Sequence, residues 1–274
     1  MKKLMSYFKE LIAEFQKDNI PLLGAAQAYY YLLSIVPLLI LLLSILPYLN
    51  ISAEAAMNAM GNVLPSDTAS VFRENIIAVV ERPSGGLLTL GILGTLWSAS
   101  NGINAFIQSA NQAYNVEETR SFIKVRLLSI ALTVGMILAI IVALALPVFG
   151  QVLIDMINIP SQTAVLLNVL RWIISIAVIG AILMALYHFA PNKNIPFKHI
   201  LPGAILTAAL WQLISLAFSF YISNFGNYSA TYGSLGGIII LMLWFFLTGI
   251  ILMIGAEINV IYHRRKDQGK TKAA

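Results

Sequence analysis

Cysteine is absent from the 274 residues. That excludes disulfide frameworks, thiolate metal sites and cysteine nucleophiles together, and leaves the redox compartment open. Charge is scarce: Asp, Glu, Lys and Arg make up 11% of the chain, where a soluble domain carries about a quarter. From Ile200 to Ala256 there is no charged residue. Histidine is limited to His188, His199 and His263, with no HExxH motif or comparable ligand spacing. The twelve acids are scattered over loops and ends, with no pair set for two-metal hydrolysis. No GxSxG elbow marks a serine nucleophile. These gaps argue against an enzyme, a bound metal or a cofactor.

What is present is apolar: 59% of residues are hydrophobic and the mean hydropathy is +0.82. A membrane is the solvent this composition fits. A spanning helix needs about 20 mostly apolar residues, and six segments qualify, near 22–48, 86–108, 127–150, 165–190, 200–224 and 235–262. Pro37 and Pro147 are candidates for kinks. Only helices or closed barrels satisfy the backbone in lipid, and these long runs lack the alternation of barrel strands. The expected fold is therefore all-α: a polytopic membrane bundle of six helices, forming a single integral membrane domain over residues 1–274.

Fourteen of the 17 Lys and Arg fall in the cytoplasmic segments if the N-terminus is inside; only Arg73, Arg82 and Arg171 do not. The positive-inside rule then gives both termini cytoplasmic, with a cytoplasmic tail at 263–274. The external loop at 50–85 reads as two short helices around Leu64-Pro65-Ser66, with Asp67 as N-cap of the second. The N-terminal MKKLMSYFKELIAEFQKDN has no h-region or cleavage site of a signal peptide. Leu4, Phe8, Leu11, Ile12 and Phe15 share one helical face amid Lys2, Lys3, Lys9 and Lys17. This suits a short interfacial helix on an anionic membrane surface, or an amphipathic helix packed on protein.

Polar residues inside the spans are the candidates for function. Asn101, Asn104, Gln108, Asn111 and Asn115 recur at steps of 3, 4, 3 and 4, which puts five amides on one helical face. Ile103, Phe106, Ile107, Ala110 and Tyr114 lie on the other. Amides facing lipid would go unpaired, so the stripe meets either water or a neighbouring helix. Gln27, Tyr30, Tyr31 and Ser34 in the first span, and Gln212, Ser215, Ser219 and Ser223 in the fifth, are candidate facing walls. Glu257 follows the charge-free run, seven residues before Arg264, or about 10 Å along a helix. An ionisable group there is a candidate for the cytoplasmic mouth of a pathway; the plainer expectation pairs it with Lys198, Arg126 or a helix N-terminus.

The stretch NYSATYGSLGG, 227–237, interrupts the charge-free run. Ser229, Gly233 and Gly237 are four apart and Tyr232 suits the aromatic belt. The segment is either a small-residue packing seam for the last helix or an outer gate.

Several of these segments carry a resemblance: AAQAYYYLLSIVPLL, SANQAYNVEETRSF, LYHFAPNKNIPFKHILPGA and FYISNFGNYSATYGSLGGIIILMLWFFLTGIILMIGAEIN. The chain resembles the YihY/BrkB family of bacterial inner-membrane proteins over almost its whole length. The matching positions are Ala28, Tyr29, Ser34 and Pro37, then Asn111, then Pro191, Pro196 and Gly203, and finally Tyr221, Tyr232, Gly233, Trp244, Gly255, Ala256 and Glu257. The resemblance implies six spans in a bacterial plasma membrane and a link to the cell envelope. It carries an old ribonuclease BN label, regarded as a misassignment; this chain has no basic groove beyond the cytoplasmic excess, so no nucleic-acid partner is expected. The expected function is a transporter or flippase-like protein for a lipid or other amphiphile. The alternative is a non-transporting scaffold in envelope assembly. Membrane lipids and an amphiphilic substrate are the expected partners, and a homo-oligomer is left open.

Overall fold

The computed structural model describes residues 2–45, 85–156, 161–225 and 235–271. The external loop lies outside them, as do Ser229, Tyr232 and Gly233. Among the described residues every regular element is a helix: α1 Lys2–Lys17, α2 Ile20–Ile45, α3 Gly85–Ala113, α4 Phe122–Met156, α5 Ser161–Phe189, α6 Phe197–Phe225 and α7 Gly236–Thr271. Each expected span falls largely within one of α2 to α7. The helix α2 continues through Pro37. Residues 263–271 of the expected cytoplasmic tail continue α7 as helix, and their arginines are tied to α1, as shown below.

Among the described residues three stretches are long and apolar enough to cross a membrane: Phe122–Ala139, Phe197–Ile222 and Gly236–Gln268. No more than 28% of any of these is buried inside the protein. Leu213, Leu216 and Phe220 on α6 are each more than 60% exposed. A helix that leaves such side chains outside the fold needs an apolar solvent.

The Cα positions divide into two compact units. The first holds Met1–Asp18, Ala110–Leu210 and Leu252–Ala274. Here α4 packs along α5, and α6 approaches α7 backbone to backbone. A Cβ on Gly203 would strike the Gly255 carbonyl oxygen and the Asn259 side chain; one on Gly255 would strike Thr207 Oγ1 and the Tyr187 hydroxyl. Small residues permit this closeness in helices that gain little from hydrophobic burial. The contact is also polar. Tyr187, fully buried, donates to Leu252 O at 2.8 Å and pairs with Thr207 Oγ1 at 2.7 Å. The Gly203 N–H donates to Asn259 Oδ1 at 2.8 Å.

The second unit holds Asn19–Ser109 and Trp211–Ile251. In it α2 meets α7 at another glycine pair: a Cβ on Gly249 would lie 3.0 Å from Gly24 Cα. Ser34 joins α2 to α3, donating to Ser98 O at 3.3 Å and accepting from Gly102 N at 2.9 Å. Trp244 packs beside Trp211 and Phe218, with centroids 5.9 and 5.2 Å away.

Candidate functional site

The most elaborated polar region lies in the first unit, where the ends of α1, α3 and α7 and the start of α6 come together. The local chain explains the shape. At the end of α3 the backbone of Asn115 turns left-handed, with φ 50°. Asparagine tolerates that conformation, and it closes the helix through Val116 N–H to Asn111 O and Asn115 N–H to Gln112 O, both 3.0 Å. The fifth amide of the stripe is thus a helix stop. The turn that follows is clasped to the end of α5. Arg120 donates to both Glu118 oxygens, at 2.8 and 2.6 Å, and to the carbonyls of Phe189 and Ala190. The Asn111 amide donates to Glu118 Oε2 at 2.8 Å and accepts from Asn192 N–H at 2.6 Å. The hydrogen bond from Arg120 outweighs partial burial and holds the Glu118 carboxyl below the usual carboxylate range.

A second clasp joins α1 to α7. Arg265 reaches Glu10 at 2.6 Å and Ser6 Oγ at 2.7 Å, with its guanidinium 3.8 Å over the Tyr7 ring. Arg264 reaches Glu14 at 2.7 Å, and Lys17 reaches the same carboxylate at 3.1 Å. Burial alone would raise the Glu14 carboxyl; the bonds from Arg264 and Lys17 overcome it and leave the group lowered. The charged face of α1 therefore faces α7. Its apolar residues Met5, Phe8 and Ile12 are exposed.

Between the two clasps is a cleft of about 1030 Å³. Lys17, Lys193 and Arg264 supply positive charge around it, Glu14 and Asp267 negative charge, and Tyr114, Ile195 and Val260 an apolar surface. Behind Glu14, three buried carboxylates gather: Glu14, Asp18 and Glu257 each place an oxygen within 4.8 Å of the others. Glu257 is wholly buried, and among the described residues no N–H or O–H donor reaches either of its oxygens. Among the described residues Glu257 meets Glu14 and Asp18, and not the expected Lys198, Arg126 or helix N-terminus. A further cluster joins α6 and α7. His199 Nδ1 lies 2.7 Å from His263 Nδ1, and His263 Nε2 lies 3.2 Å from Asp267 Oδ2.

The other sequence candidates belong to the second unit. Gln27 is fully buried and accepts from the Tyr31 hydroxyl at 2.8 Å, while its Nε2 has no acceptor. Tyr30 is exposed, and Ser34 is occupied between α2 and α3. On α3 the apolar residues Ile103, Phe106 and Ile107 form the buried face, whereas Asn101 and Asn104 are half-buried and Gln108 is exposed. Gln212 is exposed, and the Ser215 hydroxyl bonds back to Trp211 O at 2.6 Å. Gly237 sits in the first turn of α7. Sequence reasoning missed Asp18, Lys17, Tyr114 and Lys193 as neighbours of Glu257 or of the cleft. It also missed His263 and Asp267, whose separation of four residues was readable as one helical face.

The chain matches the family model "Virulence factor BrkB" over residues 11–274. It is similar to the ribonuclease-like protein YfkH of Bacillus subtilis (strain 168), 42% identical over 266 residues, covering 96% of this chain and 97% of that protein. It is similar also to a UPF0761 membrane protein of Tolumonas auensis, 31% identical over 250 residues, with 88% of this chain and 80% of that protein covered. A third relative, UPF0761 membrane protein VV0203 of Vibrio vulnificus (strain YJ016), is 29% identical over 270 residues, covering 96% of this chain and 84% of that protein. No solved structure matches it. With a family model covering nearly the whole chain, relatives named as membrane proteins and helices left apolar on the outside, this chain belongs to the BrkB family of membrane proteins.

Proposed function

We propose that this membrane protein is a transporter or flippase-like protein for a lipid or other amphiphile, with six spans and both termini on the cytoplasmic side of a bacterial plasma membrane. The cleft carries the proposal. Basic Lys193 beside apolar Tyr114, Ile195 and Val260, with Lys17 and Arg264 in the lining already tied to Glu14, suits a molecule with a charged headgroup and a greasy body. Arginine and lysine bind phosphate directly. The basic ends of α1 and α7 support the cytoplasmic placement of this region. The exposed Met5, Phe8 and Ile12 support an α1 that lies in the interface, its apolar face in the acyl boundary and its acids held by α7. In this reading the amides of Asn101, Asn104 and Gln108, with Gln27 and Gln212, line a neutral polar path that hydrates the headgroup in transit. Asn111, committed to Glu118 and Asn192, steadies the wall of the cleft.

Reconstitution tests the proposal. Purified protein in liposomes carrying a panel of fluorescent phospholipids and glycolipids is followed by surface quenching of the label. The expected result is protein-dependent movement of at least one lipid, reduced at least tenfold in Lys193→Glu. Failure to move any lipid of the panel, together with an unaltered cell phenotype when Asn101, Asn104 and Gln108 are all leucine, refutes it in favour of a scaffold.

A further inference from the structure

His199, His263 and Asp267 form a constellation that the proposed transport does not use. The sequence places His263 and Asp267 one turn apart on α7, so both project from one face. His199 comes from the first turn of α6, 64 residues earlier. Each of the three offers one ligand atom, and these atoms all lie within 4.8 Å of one another. We propose that His199, His263 and Asp267 bind a divalent transition-metal ion of the zinc class at the edge of the cleft.

The ring orientations favour a metal. His263 presents one ring nitrogen to each partner: Nε2 lies 3.2 Å from Asp267 Oδ2, and Nδ1 lies 2.7 Å from His199 Nδ1. Two imidazole nitrogens are thus already close enough to share one ion, and Asp267 joins them by a rotation of its exposed side chain. Zinc–nitrogen bonds of about 2.0–2.1 Å in tetrahedral geometry hold two nitrogens about 3.3 Å apart. The rings need to part by only a little over half an ångström, within reach of small side-chain rotations. The His199 ring is braced edge-on by Tyr262, with centroids 5.7 Å apart. Imidazole and carboxylate donors suit zinc, nickel or cobalt better than magnesium or calcium, which take oxygen shells.

Access and charge are compatible. His263 and Asp267 both line the cleft, which gives an entry path and room for a water as fourth ligand. The adjacent arginines are turned toward α1 carboxylates: Arg264 pairs with Glu10 and Glu14, and Arg265 with Glu10. Lys266 lies 5.7 Å from the Tyr262 ring. An ion here would link α6 to α7 without any change at the α1–α7 clasp.

The test uses the full chain in detergent, with a histidine-free affinity tag and metal stripped by chelator. Zinc is titrated against a chromogenic competitor, and retained metal is measured by mass spectrometry. The expected result is one zinc per chain, with affinity reduced at least tenfold in His199→Gln, in His263→Gln and in Asp267→Asn, and unchanged in His188→Gln. Zinc should also raise the melting temperature of the wild type and not of His199→Gln; this second reading holds even if His263→Gln fails to fold. Wild-type protein that retains no zinc, or His199→Gln protein that binds it as tightly as wild type, overturns the site. Lipid movement is read separately, so loss of one result leaves the other standing.

Discussion

Replacing Gly203 with alanine probes the closest helix contact in the first unit. The added Cβ would run into the Gly255 carbonyl oxygen and the Asn259 side chain. One obstacle is backbone, so no rotamer change relieves it and α6 must move away from α7. Overpacking of this kind costs about 1–3 kcal/mol. The displacement also weakens the Gly203 N–H bond to Asn259 Oδ1, now 2.8 Å, which contributes about 1 kcal/mol. Alanine returns about 1 kcal/mol through its better helix propensity. The net expectation is a loss of about 1–3 kcal/mol. At about 2–4 °C per kcal/mol for a chain of this size, the melting temperature in detergent should fall by several degrees. Gly135 and Gly180 are the controls, because a Cβ on either meets nothing within 4 Å. Gly135→Ala and Gly180→Ala should melt at or slightly above the wild-type temperature. Thermal unfolding followed by tryptophan fluorescence reads all three. If Gly203→Ala melts within about 1 °C of wild type while the controls behave, the close approach of α6 and α7 is wrong.

Tyr187→Phe removes a buried hydroxyl that bonds both Thr207 and Leu252 O, and the same assay should show a loss of about 1–2 kcal/mol; no loss would mean that Thr207 and the carbonyl find other partners. Glu257→Gln removes one of three crowded carboxylates, two of which remain with Lys17 and Arg264 nearby. Stability should hold or rise, by up to about 1 kcal/mol, and a clear fall would show that the carboxylate is engaged. Glu118 has a lowered folded-state pKa, so its contribution is present above the unfolded carboxyl value of about 4.3 and is lost as pH falls through the lower folded value. Limited proteolysis of the turn at 114–121 between pH 6 and 3 should therefore accelerate at the acid end, and Glu118→Gln should cut faster already at pH 6, with a flatter profile.

The local chemistry of the chain was legible where it depended on near neighbours. The helices were visible because apolar runs of that length leave the backbone no other way to satisfy itself in lipid. The apolar face of α3 was visible because Ile103, Phe106 and Ile107 follow the helical period, and they are buried. The period alone did not tell what the amide face meets. Asn111 turned out to clasp Glu118 and Asn192, and Asn115 to end its helix, because those roles depend on a turn and on a segment about 80 residues away. The GxxxG spacing at Gly233 and Gly237 drew notice, whereas the described close approaches use Gly24 with Gly249 and Gly203 with Gly255. Such pairs join residues from different helices, so no single window contains them.

The sequence by itself determined that this is a helical chain for an apolar solvent, with its basic residues gathered near particular helix ends. Those properties are sums over composition and short-range period. Only the tertiary structure decided the company of Glu257, which meets Glu14 and Asp18 first and Lys17 only beyond them. It alone put His199 against His263, and it turned the acids of α1 toward Arg264 and Arg265. The physical reason is that a charge or a ring nitrogen responds to whatever lies within a few ångströms, and in a bundle those neighbours come from helices far apart along the chain.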